Sequence, residues 1–398
     1  MTVICPPAAH VLVAGVSTRA IAESAARAGY QVTSIDAFAD LDQHPSVRAL
    51  TVPGGFSPEV AARAVRDIAC DAVAYLSSFE NYPDAVRALA AGRTLLGNTP
   101  EVLAAVRNPH RLFDALSRRG LHAPAVLGDE GASTPGPRTR PTYVGPTDEG
   151  PWLLKPLASG GGQGIAAWRH GAQVPVGHYL QQHIDGTAGS VAFIASPRGV
   201  RVLGVFQQLI GQNAFGTSGF RYCGNILDGS MPTDSALLRN ATALAHAVAE
   251  DFGLIGINGI DFISRDDGLY PVEVNPRWCA SVELVERAHG VSAFAAHAQA
   301  CTAGALPLFD GVTAPPIGRS IGKAVIYAQQ EGAVADTTPW CMNPDVRDVP
   351  RPHTRFAPGD PVCTVFAEGP TPEACRLGLE QQAMRIYREL STWSGSSR

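Results

Sequence analysis

The stretch Ile257-Asn258-Gly259-Ile260-Asp261-Phe262-Ile263, with Arg265-Asp266-Asp267-Gly268 and Leu269-Tyr270-Pro271-Val272-Glu273-Val274-Asn275-Pro276-Arg277 after it, decides how this chain is read. Two apolar runs around an Asp-Gly turn predict a β-hairpin. Side chains alternate along a strand, so Glu273 and Asn275 share one face while Val272 and Val274 point into the core. Pro271 has no N–H to donate, and the second strand is therefore not fully paired there. Register decides whether Asp261 joins the other two. An even four-residue loop at 265–268 sets Asp261 against Val272 and aims it at the core; pairing displaced by one residue sets it against Glu273. In the displaced register two carboxylates and an amide oxygen, all hard donors, suit magnesium, with manganese as the alternative, held jointly with nucleotide phosphates. The other reading of these residues is a solvated polar hairpin face.

Upstream, Trp152-Leu-Leu-Lys155-Pro-Leu-Ala-Ser159-Gly160-Gly161-Gly162-Gln163-Gly164-Ile165 puts a lysine on a strand before a loop with four glycines in five positions. Glycine lets backbone amides approach phosphate and tolerates positive φ, and the lysine adds a point charge. In a Walker A loop the lysine follows the glycines, so this is not a P-loop. The competing reading is an exposed flexible loop. Among 31 basic residues only Lys155 and Lys323 are lysines. Local context gives Lys155 a reason to be kept; Lys323 reads equally well as a chance surface residue.

The remainder supplies the frame. From Val11 to Asp36 an apolar run, an alanine-rich amphipathic stretch (Thr18 to Ala28) and a second strand predict a βαβ start. Helices at 58–69 and 83–91 and strands at 71–76 and 93–96 continue a small parallel sheet. The first turn, Gly15-Val16-Ser17-Thr18-Arg19, lacks the GxGxxG spacing of a dinucleotide site, which argues against an NAD enzyme. Residues 128–150 read as a linker. A hairpin is expected from Ser190 to Leu209, and a helix from Ser235 to Phe252 with Leu237, Ala241, Leu244 and Val248 as its buried stripe, Asp234 or Ser235 as cap and Gly253 as stop. Strands at 322–328 and 361–366 and a helix at 372–390 close the chain.

Composition excludes several classes. At 398 residues, two or three domains are expected. A net charge of −5 leaves no basic face for nucleic acid. The absence of a long apolar run, and a start (MTVICPPAAH) without a charged leader, lead to the expectation of a cytoplasmic protein without membrane contact. Eight scattered cysteines without CxxC, and histidines without HxH or HxxxH, give no zinc site or disulfide framework.

Together these residues resemble the ATP-grasp superfamily of ligases, of which biotin carboxylase and D-alanine:D-alanine ligase are members. The resemblance implies an α/β chain with an α+β lid: an ATP-grasp fold behind an N-terminal Rossmann-like pre-ATP-grasp domain. The implied division is an N-terminal α/β domain at 1–100, a lid with the glycine loop at 101–185, a metal-binding subdomain at 186–316 and a C-terminal α/β segment packed on the core at 317–398. ATP and magnesium are the implied cofactors. Lys155 resembles the strand lysine that contacts ATP, and Ser159 with Gly160, Gly161, Gly162 and Gly164 the loop over its phosphates. Gln181-Gln182-His183-Ile184-Asp185-Gly186 resembles the hinge, usually with Glu where Gln182 stands, whose backbone at His183 and Ile184 meets adenine. Asp261, Glu273 and Asn275 resemble the metal ligands, and Arg277 the arginine that stabilises a reacting acyl phosphate.

The family commonly carries another ATP-contacting lysine where this chain reads Arg107-Asn108-Pro109-His110-Arg111; either Arg111 or His110 takes its place, or nucleotide affinity is lower. Ser78-Phe79-Glu80-Asn81, Phe220-Arg221-Tyr222-Cys223-Gly224-Asn225, Asp348-Val349-Pro350 and Gly359-Asp360-Pro361 narrow the resemblance to an archaeal and methylotroph ATP-grasp group associated with one-carbon carriers such as tetrahydromethanopterin and methanofuran. Substrate contacts are expected at Arg221, as a bidentate carboxylate clamp, and at Asn225, Glu80 and Ser17; Glu80 reads equally as part of a helix cap. The implied activity is ligation of a small carboxylate to an amine through an acyl phosphate, with addition of an amino acid such as glutamate in cofactor biosynthesis as its narrower form. The alternatives are a bicarbonate-activating, carboxylase-like enzyme and a nucleotide-binding protein without turnover. Oligomeric state is open, a homodimer being the commonest closed assembly.

Overall fold

The computed structural model describes residues 9–52, 55–128, 151–232, 235–311 and 318–395. The linker read at 128–150, apart from Gly128, lies outside them, as do Asp234 and most of the first ten residues. The N-terminal sheet has five parallel strands in the order Val47–Thr51, Gln31–Asp36, His10–Ala14, Ala72–Tyr75, Thr94–Leu96. Its apolar strands are buried on both faces, as parallel sheets require. Val11 and Val13 face one core and Leu12 and Ala14 another. The strand Val47–Thr51, half-exposed and without an apolar/polar alternation, was not expected from the sequence and closes one edge.

The centre of the molecule is an eight-stranded antiparallel sheet. Its order is Gly268–Asn275, Gly256–Arg265, Thr187–Ser196, Gly199–Ile210, Tyr222–Leu227, Ser320–Tyr327, Pro361–Gly369, Val346–Arg347. The C-terminal segment thus contributes strands to this sheet, where Ser320–Tyr327 pairs with Tyr222–Leu227. One face packs on helix Ala236–Phe252, capped by the Ser235 hydroxyl and ended at left-handed Gly253. Its buried stripe runs through Leu238, not Leu237, with Ala241, Leu244, Ala245 and Val248. Each leucine so buried contributes roughly 1.5–3 kcal/mol.

A smaller sheet, Val126–Gly128, His178–Gln182, Trp152–Pro156, Ala166–Ala167, carries the glycine loop. The described cysteines are all free. Among the described residues no helix is long and apolar enough to cross a membrane.

His297 joins the two larger sheets. Its Nδ1 accepts the Ile257 N–H at 2.9 Å and its Nε2 lies 3.2 Å from the Leu96 carbonyl, so the ring is neutral with the proton on Nε2. Burial pushes it down to about 4.

Candidate active site

The hairpin register is set by a bulge. Arg265 pairs with Gly268 and the ladder runs regularly to Phe262 opposite Pro271, then slips by one residue so that Asp261 faces Glu273 and Gly259 faces Asn275. The two-residue turn alone would have set Asp261 against Val272. The extra residue falls beside Pro271, which lacks the N–H a regular ladder needs, on the edge strand of the sheet, where bulges are tolerated. Val272, expected in the core, is half-buried and lines the cleft; its carbonyl accepts from Lys155 Nζ at 3.1 Å. One irregularity therefore re-aims a carboxylate and supplies an acceptor to the lysine across the cleft.

Polar side chains continue across this face of the sheet. Asp261 is opposite Ser190 as well as Glu273, and Gln208 is opposite Asn225, which is opposite Lys323. All six line one cavity of about 1030 Å³ with Lys155, Gly160, Gly161, Gly162, Asn275 and Arg277. Asp261 accepts from Gln208 Nε2 at 2.8 Å and Asn275 Nδ2 at 3.1 Å. Arg277 donates to Asn275 Oδ1 at 3.0 Å and to buried Glu80 at 2.9 Å. Burial and then the neighbouring Glu273 charge push Asp261 up to about 7. Burial acts on Glu273 in the same direction, but Arg107 and Lys155 outweigh it and hold this carboxyl below its usual value.

Magnesium is the metal the donor set implies, and the set fits it. Two facing, half-buried carboxylates, one driven toward its neutral form by desolvation and then by the other's charge, would be relieved by a divalent cation that keeps both ionised. Asn275, whose Oδ1 here accepts from Arg277, would supply the third oxygen. Among the described residues no cluster of three or more His, Cys, Asp or Glu side chains could hold a metal, so an all-carboxylate cage is not present.

Lys155 is buried at 5% exposure, its Nζ 3.0 Å from Gln181 Oε1. Both of its hydrogen-bond acceptors are neutral; its charge acts on nearby Glu273 but is closed by no ion pair, which leaves it open to an anion. The glycine loop folds over the cleft onto the 220–222 segment: the Tyr222 N–H donates to the Gly161 carbonyl at 3.0 Å, and a Cβ on Gly162 would lie 1.8 Å from the Phe220 carbonyl oxygen. Gly162, at φ +74°, admits no other residue. Gly160 and Gly161 have open space in front of them, whereas Gly164 packs on Pro156. The Ser159 carbonyl accepts from Asn81 Nδ2 at 3.2 Å, which ties the loop to the N-terminal domain.

At the hinge, Gln182, His183 and Ile184 line the cavity. The Gln182 Oε1 is taken by the Ala125 N–H at 3.2 Å and the His183 N–H by the Pro151 carbonyl at 2.8 Å. Arg221 stacks its guanidinium over Tyr327 at 4.8 Å, and Asn225 accepts from the Tyr222 hydroxyl; both line the cavity, as does Ser17. Glu80 does not, and it caps no helix: at 1% exposure it anchors Arg277 from behind. Burial pushes the Cys279 thiol up to about 12, so it stays protonated and is no nucleophile.

Arg107 stands where the sequence shows no lysine. Its Nη1 is 2.6 Å from Glu273 Oε1, and its Nη2 reaches Asn81 Oδ1 at 2.8 Å and the Ser159 carbonyl at 3.3 Å. Arg111 lies elsewhere, in a shallow surface hollow with Asp114, Arg118 and Asp251, and the His110 Nε2 is buried without a partner. Arg107 escaped the sequence reading because it sits between two helices, Pro100–Val106 and Pro109–Arg118, where it reads as a cap.

Residues 109–281 match the model of the ATP-grasp domain. No curated protein matches the chain. Solved structures share the whole fold at low identity. The L-amino acid ligase of Bacillus licheniformis is 17% identical, covers 98% of each chain and superposes with a TM-score of 0.67. N5-carboxyaminoimidazole ribonucleotide synthetase, solved with ADP, is 17% identical over 98% of this chain and 100% of its own, at 0.65. The biotin carboxylase domain of Hydrogenobacter thermophilus 2-oxoglutarate carboxylase, solved with MgADP and bicarbonate, is 16% identical over 91% and 86%, at 0.66.

Proposed function

We propose that this chain, whose residues 109–281 form an ATP-grasp domain, is an ATP- and magnesium-dependent ligase that joins a small carboxylate to an amine. The observation that carries this reading is the bulge at Val272, which sets Asp261 against Glu273 and turns a backbone carbonyl to Lys155 on the opposite wall. Magnesium, held by Asp261, Glu273 and Asn275, would neutralise charge on the triphosphate. Lys155 and the backbone of Gly160 and Gly161, which has open space before it, bind and orient that triphosphate, and Arg107 keeps Glu273 ionised for its task.

A carboxylate oxygen of the substrate attacks the γ-phosphorus and ADP leaves, giving an acyl phosphate. The amine then attacks the acyl carbon, phosphate departs, and the nitrogen loses a proton to form the amide. Arg277, fixed by Glu80 behind it, offers its guanidinium to the negative charge that grows on the acyl group. Addition of an amino acid such as glutamate during synthesis of a one-carbon carrier is the narrower form of this proposal; it rests on the sequence likeness at 78–81, 220–225, 348–350 and 359–361.

The test is ADP release with magnesium across a matrix of carboxylates, bicarbonate included, and amines, with the product identified by mass. An amide formed in step with ADP supports the ligase; ADP release with bicarbonate alone supports a carboxylase-like enzyme. ATP binding without ADP release from any pair defeats both.

A further inference from the structure

Beyond the nucleotide end the cavity continues to a second polar end lined by Ser17, Arg19, Asp40, Lys323 and Asp348. Its charges are nearly all matched within the protein. Asp36 accepts from the Thr18 hydroxyl at 2.6 Å and from the N–H groups of Thr18, Phe38 and Ala39. Asp42 accepts from the N–H groups of Asp348 and Val349. Asp348 is 2.7 Å from Arg19, and Glu283 uses one oxygen on Arg19 and the other on Lys323, each at 2.6 Å.

Asp40 is the exception. It is buried at 5% exposure, it lines the cavity, and its Oδ2 has no hydrogen-bond partner. Burial and the charges of Asp348, Asp36 and Asp42 hold its carboxyl well above the usual range, outweighing the opposing charge of Arg19, which is already committed to Glu283 and Asp348. Arg351, exposed at the rim, gives its Nε to the Ala39 carbonyl. A buried carboxyl at a cavity wall, ringed by other acids, is costly until a cation meets it. The described acids do not converge into a set that could hold a metal ion, which leaves an organic cation.

We propose that Asp40 receives a protonated amine of the substrate that occupies this end of the cleft. The site is assigned to an amine other than the attacking nitrogen, because an ammonium has no lone pair to offer unless it first gives up its proton. The substrate here therefore carries an ammonium besides its reacting group, which makes it an amino acid or an amine-bearing carboxylate rather than a simple acid. This rests on the ligase reading for the reacting group, but the ammonium site itself stands on Asp40 alone.

The experiment compares the wild type, Asp40→Asn and Asp40→Ser at saturating MgADP, using thermal shift and calorimetric titration with matched pairs: L-glutamate against glutarate, L-alanine against propionate, 4-aminobutyrate against butyrate. At least one amine-bearing member binds the wild type roughly 10-fold more tightly than its deaminated partner, as a charge-assisted hydrogen bond allows. In both variants the two members of that pair come within about twofold while MgADP affinity is unchanged. The proposal is overturned if no pair is discriminated by the wild type, or if either folded variant keeps the preference; cooperative melting identifies which variants are folded. ADP release without any amine preference sinks this inference alone. Amine-selective binding lost in the variants, with no ADP release from any pair, sinks the ligase reading and leaves Asp40 its role.

Discussion

The two lysines of this chain occupy the two ends of one cavity and are used in opposite ways. Lys155, on the small-sheet strand Trp152–Pro156, rests on two neutral acceptors, the Gln181 amide oxygen and the Val272 carbonyl. Lys323, on the central sheet at 4% exposure, meets Glu283 at 2.6 Å, and Glu283 also holds Arg19. A buried ammonium hydrogen-bonded only to dipoles is open to an incoming anion; a buried ammonium closed by a carboxylate is a joint. The joint links helix Arg19–Arg27 of the N-terminal domain, helix Val282–His289 and strand Ser320–Tyr327. Burial and a positive charge are thus shared by both, and the partner decides between chemistry and architecture.

The contrast breaks most sharply at the nucleotide end. Glu273→Ala is expected to lower ADP release ~10³-fold or more, since it removes a metal ligand and leaves Arg107 without its partner; release within tenfold of wild type would remove Glu273 from the site. At the other end, Lys323→Met is expected to cost about 3 kcal/mol in urea unfolding, because Glu283 loses one of two buried cations. Its KM for ATP should stay within about threefold, as Lys323 has no free charge to give. Lys155→Met should show the reverse: a fall of ~10² in kcat/KM for ATP with little change in unfolding, because no internal ion pair is lost. If Lys155→Met unfolds the protein and Lys323→Met abolishes nucleotide binding, the two assignments are exchanged.

The smallest effect sharpens the comparison by testing a joint that holds no charge. His297 is depressed to about 4 in the fold against about 6.5 when unfolded. Acid therefore protonates the unfolded chain first, and the stability present above about 6.5 is lost as pH falls toward about 4. His297→Gln should flatten that acid limb of the melting profile between pH 6.5 and 4, while leaving Lys323-dependent stability intact.

Much of this was legible in the chain. The parallel N-terminal sheet, the Ser190 to Leu209 hairpin and the helix ending at Gly253 follow from apolar period and turn chemistry, which act locally. The stripe of that helix was read one residue early because Leu237 and Leu238 both fit a 3.6-residue period, and only packing against the sheet chooses between them. Lys323 was indistinguishable from a surface lysine, since its carboxylate lies 40 residues upstream on another element. Arg107 and Asn81 stood in segments the sequence singled out, but what they hold could not be read there for the same reason: the glycine loop and Glu273 are far away in sequence.

By itself the sequence determined which groups were present: a lysine before a glycine loop, two acids and an amide along a hairpin, an arginine after it. It also left the hairpin register as a question with two answers, one aiming Asp261 at the core and one at Glu273. Only the tertiary structure chose, because the bulge beside Pro271 depends on an edge with no further strand to pair and on a lysine from the lid that takes up the freed carbonyl. Local propensity names the donors; long-range pairing and burial decide where each one points and whether its charge is matched.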